Sequence, residues 1–327
     1  MKKALCILLS VLCAFMLFGC QKNEQPVDGD GSEKVFKVGV VQLVQHEALD
    51  AATQGFKDAL EQELGKDHVK VDVKNASGEQ TNCSTIVNGF VSQNVDLIMA
   101  NATPALVAAA SATADIPILG TSVTDYASAL EVDDWNGTVG GNVSGTSDLA
   151  PLDSQAAMIR ELFPEAKNVG IIFCSSESNS AYQVQVISEE LKALGFEVKE
   201  FSFTDTNDIA SVTQNACDNS DVIFIPTDNA AASNTETIAN IVLPAGVPVV
   251  AGEEGVAKGC GVATLSISYY DLGFATGLQA AKILTGEADV STMPIEYAKE
   301  FTKKFNEANC KALNVFVSEE YVPLPID

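Results

Sequence analysis

The sequence has little positive charge: its 19 Lys and Arg residues face 44 Asp and Glu, for a formal net charge of −25. A nucleic-acid-binding protein needs a basic surface to meet the phosphate backbone, so this composition excludes that class. The acidity itself mainly favours solubility and says little about a partner. Arg160 is the only arginine, and it falls inside a helical pattern rather than at a strand end. Because phosphates and dicarboxylates are usually held by an arginine fork, strongly anionic ligands are disfavoured.

Paired cysteines and clustered histidines are also missing. Five of the eight cysteines lie beyond the N-terminal region, widely spaced and without a C-x-x-C motif, which predicts buried thiols rather than a disulfide framework or a zinc site. The chain has two histidines, no serine within a G-x-S-x-G motif and no glycine-rich stretch with Walker spacing. We therefore predict no metal, no cofactor and no enzymatic activity. The five thiols are Cys83, Cys174, Cys217, Cys260 and Cys310.

A long apolar run occurs only at the N-terminus. A basic start precedes "ALCILLSVLCAFMLF", which has the length of a signal-peptide core and is short for a membrane-spanning helix. The run ends in "LFGC", which resembles the lipobox of bacterial lipoproteins, and the polar "QKNEQPVDGDGSE" that follows has the composition of a flexible tether. We predict a signal peptide over 1–20, lipidation of Cys20 and a tether over 21–34, which would hold the protein on the outer face of a membrane or in a periplasm. A plain signal peptide or a retained anchor is the alternative.

Apolar runs and amphipathic helical patterns alternate along the rest of the chain, and the order is then repeated. Continuous apolar strands separated by helices are typical of a parallel sheet covered on both faces. "NVGIIFCS" (168–175) corresponds to "KVFKVGVVQLV" (34–44), and "SDVIFIPTDNAA" (220–231) corresponds to "VDLIMANATPAL" (95–106). This duplication predicts two similar lobes within one chain.

The predicted fold class is α/β: two Rossmann-like lobes with parallel sheets, joined by a multi-strand hinge. The Gly-, Ser- and Asp-rich "GNVSGTSDLAPLD" (141–153) marks the first connection. The helix "YYDLGFATGLQAAKILTG" (269–286) and the tail exceed what a second copy needs, so we expect them to cross back between the lobes. Lobe 1 is assigned residues 35–145 and about 268–290, and lobe 2 residues 146–267 and about 291–327.

Polar side chains follow the predicted strands at the point where each strand ends, which is where parallel α/β sheets bind ligands. If the two lobes face each other, one small molecule can be held between these side chains. Hydroxyls and amides on one side and acids on the other suit a zwitterion such as an amino acid. The candidates are Gln45, His46, Thr103, Ser122, Thr124 and Asp125 in the first lobe, and Ser176, Glu177, Asp228, Asn229 and Glu253 in the second.

Helix capping is the alternative explanation for each candidate, because Ser, Thr, Asp and Asn are the preferred N-caps. Thr103 and Ser122 fit helix capping and ligand binding equally well. His46 could likewise be either a ligand-binding residue or a histidine in a solvated loop. The Asp228-Asn229 pair favours ligand binding, since one cap residue would suffice, and the change Asp228→Ala is expected to weaken binding at least about tenfold. Glu253 and Glu254 are not a catalytic pair if they are neighbours on a strand, since they would then point to opposite sides.

The same segments resemble the substrate-binding lipoproteins of ABC transporters, in the group that includes tryptophan and tyrosine uptake proteins. The resemblance is carried in family order by "HEALDAATQGF", "NATPA", "TSVTD", "NVSGTSD", "SSESNS", "PTDN" and "AGEEG". It implies a type I periplasmic-binding fold with three crossings, a ligand in the cleft, and delivery to an importer permease after hinge closure. It also implies that several family members bind aromatic amino acids, so an aromatic amino acid is the expected ligand. This chain departs from the family pattern at Glu47 and at Tyr126, where Pro is expected.

Other ligands and roles stay open on the residues alone. A nucleoside, a purine or an aliphatic amino acid would fit the same cleft, and the closed state could inform a membrane signalling partner rather than a permease. An enzyme is the third alternative. Tyr126, Tyr269 and Phe173 are the aromatic residues that would either stack on a ligand ring or belong to the core.

Overall fold

The computed structural model describes residues 34–325, so the predicted signal peptide, the lipidation site Cys20 and the tether up to residue 33 lie outside the described residues. The strands are β1 (Phe36–Gln42), β2 (Val69–Asn75), β3 (Leu97–Asn101), β4 (Ile118–Val123), β5 (Val143–Ser147), β6 (Asn168–Cys174), β7 (Glu197–Phe203), β8 (Val222–Ile225), β9 (Val249–Ala251), β10 (Ala263–Ser266), β11 (Glu296–Tyr297), β12 (Thr302–Phe305) and β13 (Val322–Pro323).

The α-helices connect these strands in an alternating order. They are α1 (Glu47–Leu64), α2 (Gln80–Ser92), α3 (Thr103–Ala112), α4 (Tyr126–Ala129), α5 (Leu152–Leu162), α6 (Ser178–Ala193), α7 (Ile209–Cys217), α8 (Asn229–Ala232), α9 (Thr235–Ala245), α10 (Glu254–Gly259), α11 (Tyr269–Leu284) and α12 (Glu307–Leu313). Short 3-10 helices span Lys66–His68, Thr206–Asp208 and Val290–Thr292.

The strands form two sheets, which confirms the predicted α/β fold of two lobes. The first sheet has the order β11-β5-β4-β3-β1-β2 with every pair parallel. The second has the order β13-β12-β10-β9-β8-β6-β7, in which only β10 and β12 are antiparallel. In both sheets the carboxyl ends of the first three sequential strands lie side by side, which brings their following loops to one edge.

The chain passes between the two sheets three times, near residues 148–151, 267–268 and 298–301. We propose these passes as the lobe boundaries. They assign Glu296–Tyr297, which pairs with Thr146 and Ser147 of the first sheet, to lobe 1 rather than to lobe 2.

The central strands are buried on both faces, as the continuous apolar runs predict. All five residues of β3 and all four of β8 are buried. In α1 the side chains of Leu49, Phe56 and Leu60 are buried, and Phe56 and Leu60 lie in a core cluster with strands of the first sheet. Each lobe thus has its own hydrophobic core, and the polar edge between the lobes is free to bind a ligand.

Helix α11 follows strand β10 of the second sheet in sequence but packs on α1 of the first lobe. The backbones approach so closely that a Cβ atom on Gly273 would lie 1.9 Å from the carbonyl oxygen of Ala52. A Cβ on Gly55 would lie 2.1 Å from the carbonyl oxygen of Tyr270. Only glycine allows this contact, which ties the second crossing firmly to lobe 1.

Candidate functional site

His46 lies at the end of the loop after β1 and reaches the opposite lobe. It is the N-cap residue of α1, but its side chain does not cap the helix. Instead its ring Nε2 lies 3.3 Å from Oδ1 of Asn229, which begins α8 in the second lobe. Its Nδ1 atom is buried and has no hydrogen-bond partner among residues 34–325. Burial lowers the pKa of His46, so the neutral ring is favoured in this position.

Thr103 follows the end of β3 and Ser122 is the next-to-last residue of β4, and both hydroxyls are buried without a partner in the described part of the chain. Positive φ angles occur at both turns, 90° at Ala102 and 54° at Ser122. Such angles are costly for residues other than glycine and often mark binding sites. Helix α3 begins at Thr103 without a side-chain cap, and first-turn N–H groups have no partner inside a helix. Hydroxyls and N–H groups are thus available for an anionic group here.

The carboxylate of Asp228, in contrast, already has hydrogen-bond partners within the protein. It accepts hydrogen bonds from the N–H of Cys174 at 2.6 Å, the hydroxyl of Ser180 at 2.7 Å and the N–H of Ala231 at 2.8 Å. It therefore caps α8 and ties it to the end of β6. Helix capping, the alternative explanation given for the candidate residues, therefore applies to Asp228. Asp228 also borders the space between the lobes.

Glu177 and Glu253 are capping residues as well. Glu177 accepts hydrogen bonds from the side-chain amide of Asn229 at 2.6 Å and from the N–H of Ala230 at 2.8 Å. Glu253 is the N-cap of α10, where it accepts from the N–H of Gly255 at 2.7 Å and from that of Val256. Glu253 and Glu254 do not lie on a strand, so the expected strand geometry was wrong for them; Glu254 forms an ion pair with Lys304 instead.

Burial makes this group of carboxyls hard to ionise. It is the main cause that raises the pKa of Glu177 to about 7, with the nearby charge of Asp228 as the second cause. Burial also raises the pKa of Glu253 to about 7 and that of Asp148 to about 6. Buried acids without a matching cation favour a positively charged ligand group, which would restore their ionised form.

Asp148 belongs to this region and was not among the predicted site residues, whereas Tyr269 was considered only as an aromatic residue that would stack on the ligand or belong to the core. Asp148 lies on the first crossing, buried, and accepts hydrogen bonds from the hydroxyls of Thr124 and Tyr269, each at 3.0 Å. Tyr269 follows the second crossing, so one carboxylate connects two crossings. The signal available in the sequence was an acid directly after "NVSGTS", a stretch otherwise made of small and polar residues.

These side chains surround a small gap of about 10 Å³ between the lobes. It is lined by His46, Leu49, Asp148, Thr227, Asp228, Asn229, Ala232, Glu253 and Tyr269. A larger pocket of about 470 Å³ lies beside the third crossing, lined by residues such as Asp271, Tyr297 and Lys299. We assign the functional site to the smaller space because buried polar groups from both lobes converge there.

The other predicted residues lie at its edge or elsewhere. Gln45 and Ser176 are exposed, and Asp125 caps α4 through the N–H of Ser128 at 2.7 Å. Tyr126 is buried in the first core, where its hydroxyl donates to the carbonyl of Thr146, and Phe173 belongs to a core cluster of the second lobe. Tyr269 is the one of the three aromatic candidates that borders the space. No group of His, Cys, Asp or Glu within residues 34–325 is arranged to hold a metal ion.

Comparison with known proteins finds the class of protein that the sequence resemblance predicted, a substrate-binding protein. A curated tyrosine-binding protein of Clostridioides difficile (strain R20291) is 34% identical over 322 residues, which cover 96% of this chain and 93% of that protein. The crystal structure of an ABC domain from Streptococcus pneumonia in complex with L-Trp has a TM-score of 0.84 at 32% identity, covering 88% of this chain and 97% of that one. The ligand-free, open structure of a substrate-binding protein with adhesive properties from Clostridium difficile has a TM-score of 0.68 at 36% identity, covering 89% and 100%.

The structure superposes better on the complex with L-Trp than on the ligand-free, open relative, although the open relative is more similar in sequence. The two lobes are in contact, since His46 Nε2 lies 3.3 Å from Asn229 Oδ1 across them, and this arrangement is called closed below. None of the helices within residues 34–325 combines the length and hydropathy needed to cross a bilayer.

Residues 37–325 match the model of a family described as ABC transporter substrate binding protein. Members bind a small molecule outside the cytoplasm and work with the permease of the transporter, and the family is one of solute-binding proteins rather than enzymes. The chain belongs to the ABC transporter substrate-binding protein family.

Proposed function

We propose that the protein binds an aromatic amino acid, L-tyrosine or L-tryptophan, between its lobes. The observation that carries this proposal is the presence of two kinds of polar group at the facing edges of the lobes. Thr103 and Ser122 of the first lobe offer buried, unpartnered hydroxyls beside the uncapped start of α3. Buried carboxyls border the gap itself, with Asp148 on the first crossing and Asp228 and Glu253 in the second lobe. An α-carboxylate suits the hydroxyls, and an α-ammonium group suits the carboxyls. The two relatives named for tyrosine and L-Trp support the aromatic side chain.

The carboxylate of the ligand is assigned to the first lobe. Hydroxyls and helix N-terminal N–H groups bind anions through hydrogen bonds and the helix dipole. No arginine is needed for a single carboxylate, and Arg160 donates to the carbonyls of Pro164, Ala166 and Leu194 instead.

The ammonium group is assigned to Asp148. Asp228 and Glu253 border the same space, but their oxygens accept hydrogen bonds from backbone N–H groups and thereby fix the starts of α8 and α10. Each oxygen of Asp148 accepts one hydroxyl hydrogen bond and has capacity for another. An ammonium group there would return the pKa of Asp148 toward its ordinary range, so ligand binding near pH 6 should release protons.

Leu49, Ala232 and the ring of Tyr269 provide the apolar part of the wall, where an aromatic side chain would lie. The mechanism is binding with closure: a ligand that contacts both lobes stabilises the closed form and holds it for the permease. No bond is made or broken.

We further propose that the mature protein begins at an acylated Cys20 and is held at the outer face of the membrane by the tether over residues 21–34. The "LFGC" sequence and the polar segment after it support this anchor. Expression of wild type and Cys20→Ser, followed by membrane fractionation and mass analysis, tests it. We expect acylated, membrane-bound wild type and a soluble variant; equal fractionation would remove the anchor from the proposal.

Thermal unfolding of the chain from Lys34 onward, with a panel of amino acids, nucleosides and purines, tests the ligand. A ligand at a hundred times its dissociation constant should add about 2.7 kcal/mol of stability. Stabilisation by tyrosine or tryptophan is expected, with little effect of aliphatic amino acids. Stabilisation by a nucleoside or purine alone would replace the proposed ligand and retain the closure mechanism.

A further inference from the structure

Glu47 and Lys258 form an ion pair that joins the two lobes. Glu47 is the first residue of α1 in lobe 1, and Lys258 lies in the last turn of α10 in lobe 2. Neither residue lines the space assigned to the ligand. Since the pair bridges elements of different lobes, it can exist only while the lobes are closed.

The surroundings of the pair are acidic. Glu253 and Glu254 lie at the start of α10, and the charge of Glu47 is close enough to raise the pKa of Glu253. Closure therefore brings three carboxyls to one edge of the cleft in a protein whose net charge is already −25. Lys304 is paired with Glu254, which leaves Lys258 as the cation that faces Glu47.

We propose that the Glu47–Lys258 pair is a latch that stabilises the closed state and thereby raises ligand affinity without touching the ligand. The inference rests on the proposed function for its ligand and on the closed geometry for its mechanism. Any interaction present in the closed form and absent from the open form shifts the equilibrium by its full free energy.

The expected change in ligand affinity depends on how far the ion pair is exposed to solvent. The side chain of Lys258 is 21% exposed and that of Glu47 is 52% exposed, so the pair is partly screened by solvent. Pairs of this kind correspond to a factor of about two to five in an equilibrium constant. Because the Debye length falls from about 10 Å at 0.1 M salt to about 3 Å at 1 M, the contribution should shrink with added salt.

The first experiment is a double-mutant cycle. Calorimetry with L-tyrosine and L-tryptophan compares wild type, Glu47→Gln, Lys258→Met and the double variant at about 50 mM and about 500 mM NaCl. We expect each single change to weaken binding about two- to fivefold at low salt, the double change to cost no more than either alone, and the differences to narrow at high salt. Lys304→Met is the matched control, because it breaks a pair within lobe 2 whose lysine is 24% exposed, close to the 21% of Lys258. Equal effects of Lys258→Met and Lys304→Met, or additive single effects, would overturn the latch.

A second readout needs no ligand. Cysteines introduced by His46→Cys and Asn229→Cys, which face each other across the lobes, are joined by a short bismaleimide, and the initial rate reports the closed population. The five native thiols beyond the tether are buried and should be spared. Adding Lys258→Met should slow the reaction about two- to fivefold, and adding Lys304→Met should not. Equal rates would reject the latch. Failure of wild type to bind either amino acid would reject the proposed ligand, and the two failures are therefore distinguishable.

Discussion

Glu177 caps the helix that starts at Asn229, accepting hydrogen bonds from its backbone N–H at 3.2 Å and from its side-chain amide at 2.6 Å. A carboxylate from one loop thus fixes the position of the residue that meets His46 of the other lobe. The acids of the second lobe support the site mainly by shaping the backbone around it. Substitution of a supporting residue should therefore lower the stability of the fold, whereas substitution of a residue that contacts the ligand should lower ligand affinity.

Asp228→Ala should destabilise the protein as well as weaken ligand binding. The change leaves the buried N–H groups of Cys174 and Ala231 without their acceptor, and each such loss costs about 1–3 kcal/mol. Urea unfolding of the ligand-free wild type and variant measures this loss of stability. Asp228→Asn, which keeps one acceptor oxygen, should recover part of the loss. An unchanged midpoint for Asp228→Ala would show that the carboxylate serves the ligand and not the fold.

Thr103→Val and Ser122→Ala should weaken ligand binding without lowering the stability of the free protein. Their hydroxyls have no partner in the described chain, so no hydrogen bond of the fold is lost. A hydrogen bond to a charged ligand group contributes about 1.5–3 kcal/mol, and we therefore expect at least a tenfold rise in the dissociation constant for tyrosine or tryptophan. Thr213→Val is the matched control, since its buried hydroxyl is also unpartnered but lies on α7. Similar affinities for all three variants would contradict the proposed carboxylate site.

Stability of the ligand-free protein should rise as the pH falls from about 7.5 to about 5. Burial raises the pKa of Glu253 to about 7 and that of Asp148 to about 6, so across this window the folded state binds more protons than the unfolded chain. His46 acts in the opposite direction, since burial lowers its pKa from 6.5 and acid therefore favours the unfolded chain.

The comparison of variants separates these contributions. Glu253→Gln should flatten the dependence between about pH 5 and pH 7.5 in urea unfolding. Asp221→Asn is the control: backbone N–H groups of Asn168 and Lys167 lower the pKa of Asp221 from 3.8, so its stabilisation is lost only in stronger acid. Parallel curves for wild type and Glu253→Gln would mean that Glu253 ionises normally in the folded protein.

Gly273→Ala should destabilise the protein by about 1–3 kcal/mol or more, because the added methyl group would meet the backbone of Ala52. Gly89→Ala is its counterpart within α2, where nothing lies within 4 Å of the new Cβ atom, and it should stabilise by about 0.5–1 kcal/mol. The midpoint of thermal unfolding, measured for wild type and both variants, tests these two changes in stability. The same sign for both changes would contradict the close helix packing.

The sequence was sufficient to predict the elements and their order, because hydrophobic periodicity reports burial directly. The apolar run over 168–175 contains the strand Asn168–Cys174, and the helix predicted over 269–286 spans Tyr269–Leu284. The edge that carries the site was predictable for a similar reason, since the ends of parallel strands lie together. Thus His46 and Asn229 were identified, although they are 183 residues apart.

The roles of individual acids were not predictable, because they depend on contacts distant in sequence. Asp228 accepts from the N–H of Cys174, 54 residues away, and nothing local indicates that this donor would occupy it. Asp148 was missed for the complementary reason: its partners Thr124 and Tyr269 come from other segments. Local patterns predict where a polar side chain lies, whereas its hydrogen-bond partners are set by the tertiary fold.

The packing of α11 against α1 has a consequence for the order in which the protein is completed. The strands β1 to β5 emerge first, but α11, which packs on α1 beside them, is encoded after β6 to β10 of the second sheet. A nascent chain that ends at residue 267 would hold these five strands of the second sheet and a first lobe that lacks α11 and β11. Contacts between segments so far apart form slowly, because a long loop must close before they are made. The first lobe is thus synthesised first but can be completed only after most of the second lobe has emerged.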